Sequence, residues 1–177
     1  SSWEDNYSWI HQDDILEVLK DSERLNPEVR TYLEEENSYT EFNLADTKKT
    51  QKNLFNEIKG RLKLDDESLP FKDFDYEYWT KTTIKGNYSI KLRKKIGSNE
   101  IEEIWNGDEE KEKLNVEYFG VGDLTVSFND KYLGYSLDTK GSEYYTIHIR
   151  DINTKKLVTE KIEETSGGIT FSLDDKY

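Results

Sequence analysis

The chain has 177 residues, of which 33% are hydrophobic, 13% aromatic and 36% charged, and its formal net charge is −13. Its aromatic content is too high for a solvated tail, so the composition predicts a folded chain with room for little more than one domain. An acidic balance argues against nucleic-acid binding, which needs a basic surface. No apolar run reaches the roughly 20 residues of a membrane helix. The absence of cysteine excludes disulfides, thiol catalysis and thiolate metal sites.

The first third of the chain carries the helix signals. Asn26 followed by Pro27 is typical of a helix N-cap with proline in the first turn, and the apolar spacing after it predicts a helix of about four turns. A second helix is predicted from about Thr47, and a shorter one over residues 13–20. This part is also the most acidic, because residues 1–46 hold 13 acidic and 3 basic side chains.

From Phe74 onward, short runs of alternating apolar side chains are separated by turn residues, which is typical of antiparallel strands. The predicted turns lie at residues 85–87, 129–130 and 153–154. Three of the predicted strands lie at roughly residues 132–138, 144–150 and 157–162. We find no periodic segment of helix length in this region and expect no helix there.

An internal repeat gives this β region an architecture. Residues 124–132 (LTVSFNDKY) and 169–177 (ITFSLDDKY) are identical at five of nine positions. Four strands in about 45 residues is the size of a β-propeller blade. We therefore predict a mainly β fold with a helical segment at residues 1–72, and about two and a third blades of an incomplete β-propeller at residues 73–177. Because the chain lacks an initiator methionine and stops at Tyr177, we expect it to be a piece of a longer protein.

Candidate chemistry is sparse. His11 has acidic neighbours but no third metal ligand at a suitable spacing, so it is interpreted as a surface histidine. His148 lies in the middle of a predicted strand, where a cross-strand polar contact is expected. Residues 166–168 (SGG) lack the glycine that precedes the serine of a nucleophile elbow and are interpreted as an inter-blade turn.

Four carboxylate clusters raise a paired-acid hypothesis of the glycosidase type. They lie at residues 34–36, 65–67, 102–103 and 108–110. Nothing in their spacing places two of them across a cleft, so solvated surface charge is the preferred interpretation. The many aromatic residues favour packing between blades over a sugar-binding face. The sequence therefore predicts no catalytic residue, no cofactor-binding residue and no metal ligand within this chain.

Several segments, in this order along the chain, resemble the prolyl oligopeptidase family of serine peptidases. They are NYSWI at 6–10, PEV, YL and ENSY within 27–39, FNEIKGR at 55–61, DDESLP at 65–70, GNYSI and Arg93 within 86–93, and DTKGSEYY at 138–145 with Arg150 and Asp151 after it. The ENSY segment resembles the oligopeptidase B branch more than prolyl oligopeptidase itself.

This resemblance implies a seven-bladed propeller joined to an α/β-hydrolase domain, on which the helices of residues 1–72 would pack. The Ser, Asp and His of the catalytic triad would lie entirely in that other domain, outside this chain. The propeller would admit short peptides and exclude folded proteins, and cleavage would follow Arg or Lys. The resemblance further implies a cytoplasmic enzyme without a cofactor, a nucleic-acid partner or a membrane anchor.

Two other functions stay open. A non-catalytic propeller that serves as a binding module would carry the same repeats without a nucleophile elbow downstream. A carbohydrate-active enzyme on a propeller scaffold would need inward-facing carboxylates near the channel.

Overall fold

The computed structural model describes residues 4–176 and divides the chain into two compact units. We call them the helical unit (Ser1–Leu62) and the sheet unit (Lys63–Tyr177). The division falls earlier than the boundary predicted after residue 72. It does so because two short strands, at Asp66–Glu67 and Phe71–Asp73, already pair within the sheet unit.

The helical unit contains α1 (Ile15–Lys20), α2 (Pro27–Asn43) and α3 (Lys48–Gly60), as the sequence predicts. At the start of α2 the side chain of Asn26 accepts a hydrogen bond of 2.9 Å from the backbone N–H of Glu28, which confirms the predicted cap. Of the apolar side chains in the described part of this unit, only Val18 and Val29 are buried. The helices are therefore set by local signals more than by a core.

Two antiparallel sheets make up the sheet unit. The first sheet consists of β1 (Asp66–Glu67), β2 (Phe71–Asp73), β3 (Tyr76–Thr82), β4 (Ile90–Lys95) and β5 (Ile101–Asn106). In this sheet β1 and β2 pair with successive parts of β3, and β4 and β5 follow in order. The second sheet consists of β6 (Gly120–Val126), β7 (Tyr132–Asp138), β8 (Tyr145–Asp151) and β9 (Ile162–Thr165), paired in chain order. The predicted meander of short antiparallel strands is confirmed.

The two copies of the repeat form the same turn. Asp130 and Asp175 occupy equivalent positions with φ of 58° and 53°, and each donates its N–H over 2.9 Å to the carbonyl three residues earlier. The second copy differs in its strand, because residues 169–171 are not part of a sheet. No neighbouring strand pairs with them in the described chain, and Tyr177, which would open the return strand, lies outside the described residues.

Two other predictions for the β region are wrong. A helix, α4 (Gly107–Leu114), follows β5, where no helix was expected. Its eight residues show no apolar stripe; instead Asn106 caps it by accepting from the N–H of Glu109, and three acidic residues fill its first turn. The last strand lies at Ile162–Thr165 instead of 157–162, because the chain makes only an isolated bridge at Leu157 before it returns to β8.

The core of the sheet unit lies between its two sheets. Its buried members come from β3, β5 and β7, from the residue before β6 and from the residue after β8: Tyr78, Ile104, Trp105, Phe119, Leu133, Tyr135, Leu137 and Ile152. Burial of these side chains removes apolar surface of both sheets from water and is the main stabilising term of the unit.

Candidate functional site at the seam between the two sheets

We call the surface where the first sheet and α4 meet the second sheet the seam. Aromatic rings form its apolar layer, since the rings of Trp105 and Tyr135 lie 4.9 Å apart and those of Tyr88 and Phe119 lie 5.0 Å apart. Both pairs join one sheet to the other. Packing between the predicted blades, the preferred interpretation of the many aromatic residues, is therefore observed at this seam.

Five side chains cross the seam and donate to main-chain carbonyl oxygens on the other side. Three reach from the first sheet and its loops to the second, and two reach back. The five hydrogen bonds are Tyr88 to Phe119, Lys91 to Leu124, Arg93 to Asp130, Arg150 to Ile104 and Lys155 to Glu103. Every acceptor is a backbone group, so these five hydrogen bonds do not themselves require particular side chains at the acceptor positions.

Arg93 of β4 is the most deeply buried cation, with 2% of the residue exposed. Its Nε and Nη2 atoms lie 2.8 and 2.7 Å from the same carboxylate oxygen of Glu102, and its guanidinium lies 4.2 Å from the ring centre of Tyr76. Burial alone would lower the pKa of Arg93, but the hydrogen bond and charge of Glu102 raise it above its ordinary value. The arginine stays charged and holds the β6–β7 turn through the carbonyl of Asp130.

Tyr78 holds the same turn from β3. Its hydroxyl donates a hydrogen bond of 2.6 Å to the carboxylate of Asp130. Burial, with a further contribution from Asp130, raises the pKa of Tyr78, so the phenol keeps its proton. Arg93 and Tyr78 thus bind the backbone and the side chain of one residue in the second sheet.

Arg150 of β8 is the counterpart that reaches back to the first sheet. It donates over 2.7 Å to the carbonyl of Ile104 and over 2.7 Å to the carboxylate of Glu110 in α4. Its guanidinium also lies 5.5 Å from the ring centre of Trp105 and 5.2 Å from that of Tyr135. Burial would raise the pKa of Glu110, but Arg150 and Lys113 outweigh it and hold the pKa below its usual range. The unexpected α4 is therefore fastened to the second sheet.

Lys91 lies on β4 between the other contacts. Its amine donates over 3.1 Å to the carbonyl of Leu124, and burial lowers its pKa, against a smaller opposing effect of Asp123 and Asp73. This half-buried lysine therefore links the two sheets through its hydrogen bond to Leu124.

A cleft of about 320 Å³ opens beside this cluster. Its walls include three cations, Lys113, Arg150 and Lys155, and three carboxylates, Glu103, Glu109 and Glu110. These charges balance, and most of them already take part in the ion pairs and hydrogen bonds described above. The cleft thus offers a mixed polar surface without an activated nucleophile.

Neither histidine is among the residues that line this cleft. His11 is exposed, with its Nε2 atom 3.0 Å from the carboxylate of Asp13, in keeping with a surface histidine. His148 stacks face to face on Tyr135, with ring centres 4.9 Å apart and planes 4° apart. The expected cross-strand contact exists, but it is a ring stack and not a polar contact. Burial lowers the pKa of His148, with a further contribution from Lys161.

The carboxylates of the four predicted clusters include exposed side chains and side chains that form ion pairs. Glu34, Glu35 and Glu36 are exposed on α2, and Asp66 and Glu67 pair with nearby lysines. Glu102 and Glu110, in contrast, neutralise the two buried arginines, a role that the interpretation as solvated charge missed. Residues 166–168 form the expected loop, in which the carbonyl of Gly167 accepts a hydrogen bond of 2.6 Å from the hydroxyl of Ser136.

Within residues 4–176 no three or more His, Cys, Asp or Glu side chains are grouped so that they could hold a metal ion. No helix in this range has the length and apolarity needed to span a bilayer.

The sequence patterns predict no role for Arg93 or Arg150. The available signal is their position: each is a cation in the interior of a strand that also carries large apolar side chains, where a solvated charge is unexpected. The identity of their partners could not be read from the sequence, because the partners lie 9 to 46 residues away.

Comparison with known proteins shows the family to which this chain belongs. The sequence model described as "Prolyl oligopeptidase, N-terminal beta-propeller domain" matches residues 2–176. The chain belongs to this family. The match covers the helical and the sheet unit alike, and it confirms the resemblance drawn from the motifs.

Curated relatives carry peptidase names. Dipeptidyl aminopeptidase BI of Pseudoxanthomonas mexicana is 26% identical over 187 aligned positions, which cover 97% of this chain and 24% of that protein. Protease 2 of Moraxella lacunata is 25% identical over 165 positions, covering 90% of this chain and 22% of the relative. The chain thus spans about a quarter of the length of these relatives.

Solved structures show the same fold. Oligopeptidase B from Leishmania major matches with a TM-score of 0.80 at 23% identity, over 96% of this chain and 23% of that one. Oligopeptidase B from Trypanosoma brucei, in a closed form with covalently bound antipain, matches with a TM-score of 0.74 at 22% identity, over 93% of this chain and 22% of that one. The two sheets of this protein therefore correspond to part of the propeller domain of such enzymes; the number of blades in the complete ring stays a prediction.

Proposed function

We propose that this chain is the N-terminal, non-catalytic part of a serine oligopeptidase that hydrolyses short peptides, with a preference for cleavage after Arg or Lys. The observation that carries the proposal is the family match over residues 2–176 by a chain that spans only about a quarter of its peptidase relatives. The Ser, Asp and His that perform acyl transfer would lie in a separate α/β-hydrolase domain. No residue of this chain is assigned a catalytic, cofactor-binding or metal-binding role.

In this proposal the sheet unit contributes to a gate. A propeller whose blades are tied together would limit access to a channel, so that short peptides reach the catalytic groups and folded proteins do not. The hydrogen bonds across the seam and its buried aromatic layer support such a rigid wall. We propose the cytoplasm as the location of the enzyme.

The helical unit would pack on the hydrolase domain. What supports this is the uncovered apolar surface of α3 and the residues just after it, where Phe55, Ile58 and Leu62 are each about 60% exposed. Exposed apolar side chains at helical spacing are typical of a face that another domain covers.

The decisive experiment uses the full-length polypeptide. We expect it to hydrolyse a fluorogenic peptide ending in arginine faster than the matched peptide ending in proline, and to react covalently with a fluorophosphonate probe at a serine outside this chain. A folded protein containing the same arginine sequence should resist cleavage. A polypeptide that neither cleaves peptides nor reacts with the probe would contradict the proposal and favour a propeller that acts as a binding module.

A second test addresses the helices. Phe55→Glu and Ile58→Glu should lower the activity and thermal stability of the full-length enzyme, because they place charge in the proposed domain interface. Lys52→Glu, on an exposed position of the same helix, is the matched control. Equal effects of all three substitutions would contradict packing of this face on the catalytic domain.

A further inference from the structure

We propose that the seam between the first and second sheets stays closed while the enzyme works, so that peptides enter by another route. This inference rests on the proposed function for its meaning, but its structural content can be tested by itself. Nothing in the family name or in the sequence pattern states which junctions of the propeller are fixed. The contacts across the seam indicate that this junction is one of the fixed ones.

The hydrogen bonds run along the whole seam. From the first sheet, Tyr88, Lys91 and Arg93 follow one another along the start of β4 and its preceding loop. Their acceptors advance in the same order, from Phe119 just before β6, through β6, to Asp130 in the turn after it. Opening the seam from either end would therefore break these hydrogen bonds one after another.

Both sheets contribute hydrogen-bond donors to the seam, so separation would leave unpaired donors on each of them. Arg93 and Arg150 are buried guanidiniums that point across the seam from opposite sheets. Separation would strip each of its carbonyl acceptor, and Arg150 would also leave the carboxylate of Glu110. A buried charge without its partners is strongly unfavourable, so a parted seam would have to take up water along its length.

Repeated turns reinforce this arrangement. Asp130 reaches back from the second sheet to the hydroxyl of Tyr78 in the first, and Asp175 reaches back over 2.8 Å to the N–H of Phe128 in the second sheet. The same turn thus fastens each successive element to the one before it. A turn whose aspartate accepts a hydrogen bond from an earlier element therefore occurs twice in the described chain, once at the seam.

A reversible cross-link in the full-length enzyme tests the proposal. Glu103→Cys and Leu157→Cys place two thiols on opposite sides of the cleft in the seam, and neither side chain is one of the five donors. Joined by a short bis-maleimide with a reducible spacer, the enzyme should keep its kcat/KM for the arginine peptide within twofold of the reduced form. The two single-cysteine variants, modified with the same reagent, are the controls. A loss of tenfold or more that reduction restores would overturn the proposal.

If the full-length polypeptide cleaves no peptide, the proposed function is contradicted, but the closed seam can still be tested by spectroscopy. Trp105 is 2% exposed within the seam, and its resonance in 5-fluorotryptophan protein can be assigned with the Trp105→Phe variant. A closed seam gives a single resonance for Trp105 that added arginine peptide leaves unchanged. A second resonance in exchange with the first, with or without peptide, would overturn the proposal.

Discussion

The helical and the sheet unit of this chain hold their shapes in different ways. In the helical unit the defining interactions are local, such as the Asn26 cap and pairs like Glu57 with Arg61, one turn apart on α3. In the sheet unit they join residues far apart in sequence, such as Tyr78 with Asp130 and Arg150 with Ile104. The first unit exposes most of its large apolar side chains, and the second buries an apolar core and two arginines.

The two units therefore differ in how far each stabilises itself. The pair of sheets provides a carboxylate and a carbonyl acceptor for each of its two buried arginines. Of α1, α2 and α3, only α2 has a side chain that caps its N-terminus, and most large apolar side chains of the unit are exposed. The stability of these helices in the complete protein is therefore expected to depend on what covers those side chains. Substitutions in the two units test this difference, and they follow in order of the expected loss of stability.

Removal of a buried arginine should have the largest effect. Arg93→Met leaves the carboxylate of Glu102 and the carbonyl of Asp130 without their donor, and we expect a loss of about 3 kcal/mol in the free energy of unfolding. Lys94→Met, the next residue of β4, removes a partly exposed pair with Glu77 and should cost less than about 1 kcal/mol. Urea unfolding followed by tryptophan fluorescence measures both. Similar losses would show that the seam contributes no more than a surface pair.

Two neighbouring glycines allow a sharper test of the loop after β9. Gly167 has φ of +92°, and an added Cβ would lie 2.9 Å from the ring of Tyr145. Gly167→Ala should therefore destabilise the sheet unit by about 2 kcal/mol. Gly168→Ala meets nothing within 4 Å and should change stability by less than about 0.5 kcal/mol. If the two variants unfold at the same urea concentration, the loop is not held as described.

The sequence was informative where structure is decided locally. Asn26 with Pro27 predicted α2, and the polar pairs at 129–130 and 153–154 predicted turns that the structure contains, because capping and turn formation depend on residues a few positions apart. The propeller repeat was visible because the turn containing Asp130 recurs at Asp175. Family membership followed from motif order.

Features that depend on distant partners could not be predicted. The site at the seam needs Arg93 to meet Asp130 and Arg150 to meet Glu110, and these pairings are set by how the sheets stack. The helix α4 was missed because its stability comes from the Asn106 cap, its charges and the bond to Arg150, without an apolar period. Residues 169–171 can form a strand only if another strand pairs with them, and no local pattern shows whether such a partner is present.

The helical unit should respond mainly to local changes. Asn26→Ala removes the acceptor for the N–H of Glu28, and we expect it to lower the stability of α2 by about 1 kcal/mol. Asn37→Ala, at an exposed interior position of the same helix, should stay within about 0.5 kcal/mol of the wild type. Thermal unfolding followed by far-ultraviolet circular dichroism compares them. An equal effect at both positions would mean that the cap does not define the start of α2.

The smallest expected effect is a pH dependence confined to the sheet unit. Burial lowers the pKa of His148 below its ordinary value of 6.5; Lys161 adds to this lowering and Glu110 opposes it. Because the unfolded chain binds the proton more readily, this contribution to stability is complete above about pH 6.5 and declines as the pH falls below that value. His148→Phe should keep the ring stack on Tyr135 and remove part of this decline, whereas His11→Phe alters an exposed ring of the helical unit and should retain it. Urea unfolding between about pH 5 and pH 8 measures the profile. A profile left unchanged by His148→Phe would assign the acid sensitivity to other groups, of which Glu110, paired with Arg150 across the seam, is the next to test.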